Sequence, residues 1–204
     1  AQLPFGVRVV LTMVVGEFGL YWGHRWTHEI PWLWRFHAVH HSAEYVDWIV
    51  NIRSHPVDMT FQRICGLIPL QILGLANPFG RSFDWIALTV IFAGTYWGYF
   101  IHANLKWRFG PLEYLIATPA FHHWHHTNDG PDYVDKNFAP MLPWMDWLFG
   151  TLHIPAAKRE KLTFGVEPLQ AEVHTITGGF LSPIGHSVKA MLPKRAPLPE
   201  RERA

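Results

Sequence analysis

The chain is poor in cysteine and in charged residues, and each shortage excludes a class of site. Its 204 residues include a single cysteine, Cys65, which excludes an internal disulfide and any metal cage built from several thiolates. Only 16% of the residues are charged, against roughly 25% in soluble proteins. The formal net charge is +1, so electrostatics gives no reason to expect nucleic acid as a partner. Hydrophobic residues reach 49%, with 11 Trp and 14 Phe, a composition typical of membrane proteins with interfacial aromatic belts.

Three long apolar stretches predict membrane helices. They cover residues 5–23, 59–76 and 85–101, and the third contains no charged residue. A helix over 85–101 would be about 25 Å long, close to the hydrocarbon thickness of a bilayer. The second stretch contains Arg63 and Pro69, so a buried core helix or a re-entrant segment is an alternative for it. We therefore predict an all-α integral membrane protein with about three spans in this chain.

Histidines stand at the same end of every predicted span. Residues 77–82 are rich in turn formers and predict a tight hairpin between the second and third stretches. With that hairpin, His24, His55 and His102 all leave the membrane on one side. Most of the 17 Lys and Arg residues flank the same side, and an excess of basic residues marks the cytoplasmic face. We expect a multi-pass protein with a histidine-rich helical cap that faces the cytoplasm.

The composition divides the chain into two predicted parts. Residues 1–155 carry the apolar stretches and the clustered histidines. The chain begins partway into an apolar stretch, so we expect this first domain to be truncated at its N terminus. Residues 156–204 are polar and end in a run rich in Pro, Arg and Glu, which predicts a partly disordered C-terminal extension.

Histidine is in excess, with 14 copies, and it is clustered. Three short clusters read HRWTH, HAVHH and HHWHH. The first has the spacing H-x-x-x-H and the other two share H-x-x-H-H, and both spacings place their members on one face of a helix. His123 falls outside this spacing. The clusters supply eight candidate metal ligands, which are His24, His28, His37, His40, His41, His122, His125 and His126.

Two single histidines, His102 and His55, are further candidate ligands because they stand at the edges of predicted spans. Ionisable residues at such positions are costly and tend to be functional. His153, His174 and His186 are isolated, and we expect them to be ordinary packing residues.

The chemistry of these residues predicts two metal ions. Neutral imidazole is a good ligand for iron, zinc and copper, and it leaves the charge of the cation undiminished. Eight or more imidazoles exceed the four that a tetrahedral zinc ion uses. The sequence has neither the HExxH motif of zinc peptidases nor the paired Glu-x-x-His motifs of soluble di-iron bundles. Acceptors behind the imidazoles are expected from the nearby carboxylates Glu44, Asp47, Asp132 and Asp135.

The order of the three histidine clusters, in a membrane protein, resembles that of the fatty acid hydroxylase / sterol desaturase superfamily. The similarity extends to residues 21–44, 110–126 and 135–155, and covers about residues 5–155. It implies that residues 1–155 are a membrane-bound, non-haem di-iron oxygenase domain of the bacterial type, in the bacterial inner membrane. It also implies that the eight clustered histidines are iron ligands, with His102 as an additional one, and that no catalytic residue is needed beyond the ligands.

The activity that this resemblance implies is O₂-dependent hydroxylation or desaturation of a C–H bond in a membrane lipid. The lipid could be a sterol, a fatty acyl chain, a carotenoid or an alkyl ether. The cofactors would be two Fe ions, which zinc can replace in a purified or crystallised sample, with O₂ as co-substrate. The sequence has no flavin, haem or iron–sulfur motif, so an external ferredoxin- or cytochrome-type electron donor is expected.

Two other functions compete with this interpretation. A metal-binding or metal-transporting membrane protein would also need clustered ligands, although a transporter would place them near the middle of the spans rather than at one edge. A zinc-dependent lipid hydrolase would need one metal ion with an open position and a general base. Metal content, O₂ consumption and the need for a reductant separate the three functions.

Overall fold

A computed structural model describes residues 3–76, 84–155, 161–166 and 183–184. All regular secondary structure in these residues is helical. The helices are α1 (Phe5–Glu29), α2 (Pro31–His41), α3 (Pro56–Ile72), α4 (Trp85–His102), α5 (Pro119–His125) and α6 (Trp144–Leu148), with 3₁₀ turns at Trp48–Ile52 and Gly110–Tyr114. The predicted all-α class is therefore confirmed for the part of the chain that is described.

Prolines set the boundaries of the helices that carry histidine. Ile30 precedes Pro31, whose ring disfavours helical geometry in the residue before it, and Ile30 has φ −96° and ψ 113°. Helix α1 therefore ends at Glu29, and α2 begins with Pro31 at its first position, where no backbone N–H is required. Helix α5 likewise begins with Pro119 after a Thr118 cap. The corner at Ile30 lets α2 fold back, so that its histidines face those at the end of α1.

Helices α1 and α3 pack closely because glycines stand where they cross. A Cβ at Gly19 would overlap the backbone carbonyl of Cys65, and one at Gly23 would lie 2.7 Å from the Cβ of Cys65. Small residues allow the backbones of membrane helices to approach each other in this way. Cys65 is half-buried in this contact.

All three apolar stretches predicted as spans are helical, and they form most of α1, α3 and α4. Of the helices described, α1 is the one that is both long and apolar enough to cross a membrane, with a mean hydropathy of 1.3. Helix α3 has 17 residues with Pro69 among them, and α4 has 18. The predicted hairpin at 77–82 lies outside the described residues.

Much of the predicted C-terminal extension, 156–204, also lies outside the described residues, at 156–160, 167–182 and 185–204. Residues 161–166 are described and pack beside the end of α5. The backbone carbonyl of Thr163 accepts a hydrogen bond of 2.7 Å from the N–H of Asn128, and the N–H of Thr163 donates to Asp129 at 3.2 Å.

Two buried carboxylates fix the chain that follows α5. Glu17 in α1 accepts hydrogen bonds from the backbone N–H groups of residues 141 and 142, at 2.6 and 2.8 Å. Asp146 in α6 accepts from those of residues 138 and 139, at 2.7 and 2.9 Å. Buried backbone donors need such partners, and charged acceptors make the stronger hydrogen bonds. The two carboxylates therefore hold residues 138–142 in place, directly after the residues that contact the histidines.

Candidate metal centre

The clustered histidines converge inside the molecule from α1, α2, α4 and α5. Nine imidazoles form two groups, and within each group one ring nitrogen per residue lies within 4.8 Å of all the others. Group 1 consists of His24, His28, His37, His41 and His125, and group 2 consists of His40, His102, His122 and His126. The groups adjoin, since the rings of His41 and His126 stack with centroids 4.4 Å apart. All eight histidines of the sequence clusters and His102 are thus brought together.

Each His-His doublet in the H-x-x-H-H clusters is divided between the two groups. His40 and His126 belong to group 2, whereas their neighbours His41 and His125 belong to group 1. Consecutive helical residues point about 100° apart, because a turn contains 3.6 residues. One doublet can therefore serve two neighbouring centres. The shared helical face was predictable from the spacing, but its division between two groups was not.

His55, the remaining candidate ligand, lies in neither group. Its Nδ1 accepts a hydrogen bond from the N–H of Val57 at the start of α3, and its ring lies 4.9 Å from that of Phe36. His123 is likewise in neither group. His153 packs against Trp124, with ring centroids 4.7 Å apart, while residues 174 and 186 lie outside the described part of the chain.

Hydrogen bonds at Nδ1 set the tautomers of two imidazoles in group 1. His24 Nδ1 lies 2.7 Å from the carbonyl oxygen of Phe138, and His37 Nδ1 lies 3.0 Å from a carboxylate oxygen of Asp58. Carbonyl and carboxylate oxygens accept hydrogen bonds, so each Nδ1 is the donor and each Nε2 carries a lone pair without a proton. These two Nε2 atoms lie 3.1 Å apart.

Group 2 contains an equivalent pair. His40 Nδ1 lies 3.2 Å from the carbonyl oxygen of Arg53, and His102 Nδ1 lies 2.7 Å from that of Gly98. The Nε2 atoms of the two rings, again without protons, lie 3.2 Å apart. Two lone pairs cannot hydrogen-bond to each other, but both can bind the same cation. Each group therefore has the donor arrangement of a metal site.

Burial keeps these imidazoles in the form that binds metal. Burial away from water is the larger cause, and electrostatic repulsion by neighbouring imidazoles the smaller, that holds the pKa of five rings well below the ordinary 6.5. These rings are His40, His41, His122, His125 and His126. They are therefore neutral near pH 7, and a cation can bind without first displacing a proton.

The carboxylates behind the imidazoles were only partly predicted. Asp135 lies 3.0 Å from His28 Nδ1, as expected. Asp47 instead caps the 3₁₀ turn that follows it, while Glu44 and Asp132 are exposed. Asp58, which contacts His37 in group 1, was missed because it is distant in sequence from its partner. The sequence feature that could have indicated Asp58 is its position as an acidic residue in the first turn of the apolar helix α3.

A cavity of about 300 Å³ opens beside group 1 and gives access to it from outside. Four imidazoles line it, those of His28, His41, His125 and His126. The remaining wall is formed by Trp34, Thr127, Asn128, Val134, Asp135, Gly165 and Val166. Residues 161–166 thus contribute to the mouth of the site, a role that the sequence did not indicate.

The donor set fits transition metals that prefer imidazole, which include iron, zinc and copper. All nine donors are ring nitrogens of histidine, and the chain's single thiol, on Cys65, belongs to neither group. The fold therefore contains a candidate metal centre with two adjoining positions.

Comparison with known proteins agrees with this geometry. The model of the fatty acid hydroxylase family matches residues 9–151. Ornithine lipid hydroxylase OlsE of Rhizobium tropici is 40% identical over 155 residues, covering 76% of this chain and 44% of the relative. Alkylglycerol monooxygenase of Danio rerio is 33% identical over 150 residues, covering 74% and 31%. Putative Delta(7)-sterol-C5(6)-desaturase 2 of Arabidopsis thaliana is 28% identical over 156 residues, covering 74% and 50%.

The chain spans about a third to a half of the length of these relatives. No solved structure matches it. The family match covers all three histidine clusters and His102, and it confirms the family expected from the sequence. The chain belongs to the fatty acid hydroxylase family.

Proposed function

We propose that this chain holds two iron ions in its histidine groups and uses them with O₂ to hydroxylate or desaturate a C–H bond of a membrane lipid. One observation carries the proposal. In both groups, imidazoles whose Nδ1 donates to an acceptor place unprotonated Nε2 atoms 3.1–3.2 Å apart. Iron bound by neutral imidazoles supplies, with O₂ and electrons, the oxidising power that an unactivated C–H bond requires. Zinc binds the same donors and can replace iron in a purified sample.

The proposed ligands are the nine histidines of the two groups. His55 is left out, because it lies in neither group and its Nδ1 accepts from the N–H of Val57 at the start of α3. The protein's own contribution is to hold the imidazoles neutral and oriented. Acceptors at the Nδ1 atoms of six of the nine imidazoles fix their tautomers and raise the basicity of Nε2.

The cavity beside group 1 supports a substrate that enters only in part. About 300 Å³ is at the low end for small-ligand pockets, so it fits a segment of a lipid rather than a whole molecule. Trp34 and Val134 would pack against an apolar segment, leaving the rest of the lipid outside. The similar proteins named above are an ornithine lipid hydroxylase, an alkylglycerol monooxygenase and a putative sterol desaturase, which supports lipid as the substrate class.

We also propose that α1, α3 and α4 lie in the bilayer, with the histidine groups at its cytoplasmic edge. Apolar side chains on the outer faces of all three helices support this, including Val10 at 59% exposed, Ile72 at 77% and Phe92 at 53%. Residues 1–155 would be the oxygenase domain and 156–204 its extension. The membrane would be the bacterial inner membrane, and electrons would come from an external ferredoxin- or cytochrome-type donor.

The test is turnover of the chain in membranes. Membranes that contain the chain, loaded with ferrous iron, are given ¹⁸O₂, a chemical or protein reductant and bacterial lipid extract, and the lipids are analysed by mass spectrometry. We expect either an ¹⁸O-labelled alcohol or a product two hydrogens lighter, formed only with both O₂ and reductant. Turnover that needs neither would favour a zinc hydrolase. Metal flux into sealed vesicles without lipid oxidation would favour a transporter.

A matched pair of variants ties turnover to the centre. His125→Ala removes a member of group 1, whereas His123→Ala changes a histidine of the same cluster that is in neither group. We expect turnover to be lost in the first variant and kept in the second. Equal loss in both would contradict the assignment of the site.

A further inference from the structure

The two histidine groups differ in the groups that lie behind their imidazoles. In group 1, two Nδ1 atoms face carboxylates: His37 lies 3.0 Å from Asp58, and His28 lies 3.0 Å from Asp135. The Asp58 pair is buried, with side chains 2% and 1% exposed, whereas Asp135 is 60% exposed. Group 1 therefore has two anionic acceptors in contact with its ligands.

In group 2, the acceptors that the structure shows at Nδ1 are neutral. The Nδ1 acceptors of His40 and His102 are the backbone carbonyls of Arg53 and Gly98. The Nδ1 atom of His122 is buried without a hydrogen-bond partner in the described structure. Of the four imidazoles of group 2, two are thus held by neutral acceptors and one by packing.

One short segment supports most of group 1. Residues 135–138 supply hydrogen-bond acceptors to three of its five imidazoles. The acceptors are the Asp135 carboxylate for His28 at 3.0 Å, the Lys136 carbonyl for His125 at 2.8 Å and the Phe138 carbonyl for His24 at 2.7 Å. These three imidazoles come from α1 and α5, so the segment fixes the two helices relative to each other at the metal position.

The backbone of this segment adopts a conformation that residues with a side chain rarely take up. Asp135 and Asn137 have φ of 57° and 56°, in the left-handed region, which Asp and Asn adopt more readily than other residues with a side chain. Asn137 is held there by its side chain, which donates to the carbonyls of Phe121 and His153 and accepts from the N–H of His153. These hydrogen bonds of Asn137 fix its neighbours Lys136 and Phe138, whose carbonyls accept from His125 and His24.

We propose that the two metal positions are inequivalent, and that group 1 binds its ion more tightly because Asp58 and Asp135 support its ligands. A carboxylate at Nδ1 raises the electron density on Nε2 and restricts rotation of the ring. Asp58 and Asp135 act through His37 and His28, so they are positioning residues rather than ligands. The inference rests on the proposed binding of metal by both groups, but it does not depend on the metal being iron or on the reaction.

The experiment is a titration of the metal-free full chain, in detergent micelles, with Co²⁺ alone. Visible absorption of Co²⁺ reports its coordination by imidazole, and metal analysis after equilibrium dialysis gives the number of ions bound. We expect two binding phases. His125→Ala should abolish the tighter phase and His126→Ala the weaker one, which assigns each phase to a group.

Carboxylate variants then test the cause. Asp135→Asn should weaken the tighter phase by roughly tenfold to a hundredfold and leave the weaker phase in place, the range typical for removing an acceptor behind a metal-bound histidine. Asp58→Asn should have at least as large an effect because its pair is buried. Asp132→Asn is the matched control, since this nearby carboxylate is exposed and, in the described part of the chain, belongs to neither histidine group. Asp135 is also exposed, so its variant is expected to fold.

The possible results separate the inequivalence of the two positions from the binding of two metal ions. Two phases of equal affinity, or an Asp135→Asn effect confined to the weaker phase, would overturn the inequivalence while leaving two-metal binding intact. A single ion that is lost in His125→Ala and weakened in Asp135→Asn would support the role of the carboxylates and contradict the two-iron proposal. An unchanged titration in both Asp135→Asn and Asp58→Asn would overturn the positioning role. No binding of Co²⁺ at all would overturn both proposals.

Discussion

The centre of this protein is polar and the outer faces of its long helices are apolar, the reverse of a soluble domain. His37 and Asp58 at the centre are each 2% exposed, whereas Ile72 on α3 is 77% exposed and Tyr96 on α4 is 68% exposed. Contiguous apolar surface of this kind marks a face that something else covers, and we propose that lipid covers it. Burying an imidazole nitrogen costs free energy unless it has a partner, and the partners shown at Nδ1 are backbone carbonyls and carboxylates, with metal ions proposed at Nε2.

The two regions tolerate substitution on different grounds. At the centre, the position of an atom decides the outcome, because donors and acceptors must meet within about 3 Å. On the outer faces, polarity decides the outcome, because lipid accepts any apolar shape but excludes charge.

The largest effect is expected at the centre. His37→Ala removes an imidazole of group 1 and leaves the buried Asp58 without its partner. We expect loss of bound metal and a fall in turnover of more than about a hundredfold, beyond the usual cost of losing only an outer partner. Metal analysis and a lipid oxidation assay measure the two quantities. His153→Ala, in which the changed histidine lies outside both groups, should keep its metal, and equal metal loss there would count against a specific centre.

The next effect is expected on the outer face of α3. Ile68 is 51% exposed, and Ile68→Glu would place a charge in lipid at a cost of roughly 2.5–3.5 kcal/mol. We expect a smaller fraction of the chain to resist alkaline extraction from membranes. Ile68→Leu is the matched control and should behave like the unchanged chain. Full retention of Ile68→Glu in the membrane would show that this face does not lie in lipid.

A smaller effect is expected where the two regions meet, at the α1–α3 crossing. Gly19→Ala forces a methyl group against the backbone of Cys65 and should cost about 1–3 kcal/mol of stability. Gly94→Ala is the matched control, because nothing lies within 4 Å of the added carbon and alanine favours a helix by up to about 1 kcal/mol. In thermal unfolding in micelles, we therefore expect a lowered Tm for Gly19→Ala and not for Gly94→Ala. A lowered Tm in both would mean that close packing is not the reason.

The smallest effect is expected from an ion pair at the surface. Arg25 and Glu29 are four residues apart on α1, and their side chains are 23% and 44% exposed. Exposed pairs at this spacing contribute about 0.3–0.5 kcal/mol, so Glu29→Gln should change the Tm in micelles very little. A fall in Tm as large as that of Gly19→Ala would show that this pair stabilises the fold more than an exposed ion pair does.

Much of the fold and the site could be predicted from local sequence. The helices of the three apolar stretches follow from composition, and their ends follow from Pro31, Pro56 and Asp84. Eight of the nine grouped histidines follow from the spacing of the clusters, because that spacing fixes a helical face. His102 was identified from its place at the end of an uncharged span.

Other features depend on contacts between distant residues, which no local pattern encodes. Asp58 lies 21 positions from His37, and the carbonyl of Phe138 lies 114 positions from His24. His55 met the same criterion as His102, the edge of a predicted span, yet it lies at the start of α3 and outside both groups. Whether a histidine at a helix end points inward or caps the helix is decided by the neighbouring helices.

Local sequence is enough to indicate that neutral nitrogen ligands lie at the ends of apolar helices, because residue type and helical period are local properties. The tertiary structure alone decided how those ligands are divided into two groups, and which of them have a carboxylate behind them. The physical reason is that a metal position is defined by distances of a few ångströms between atoms of different helices. Those distances exist only once α1, α2, α4 and α5 have packed and the segment 135–138 has been fixed against them.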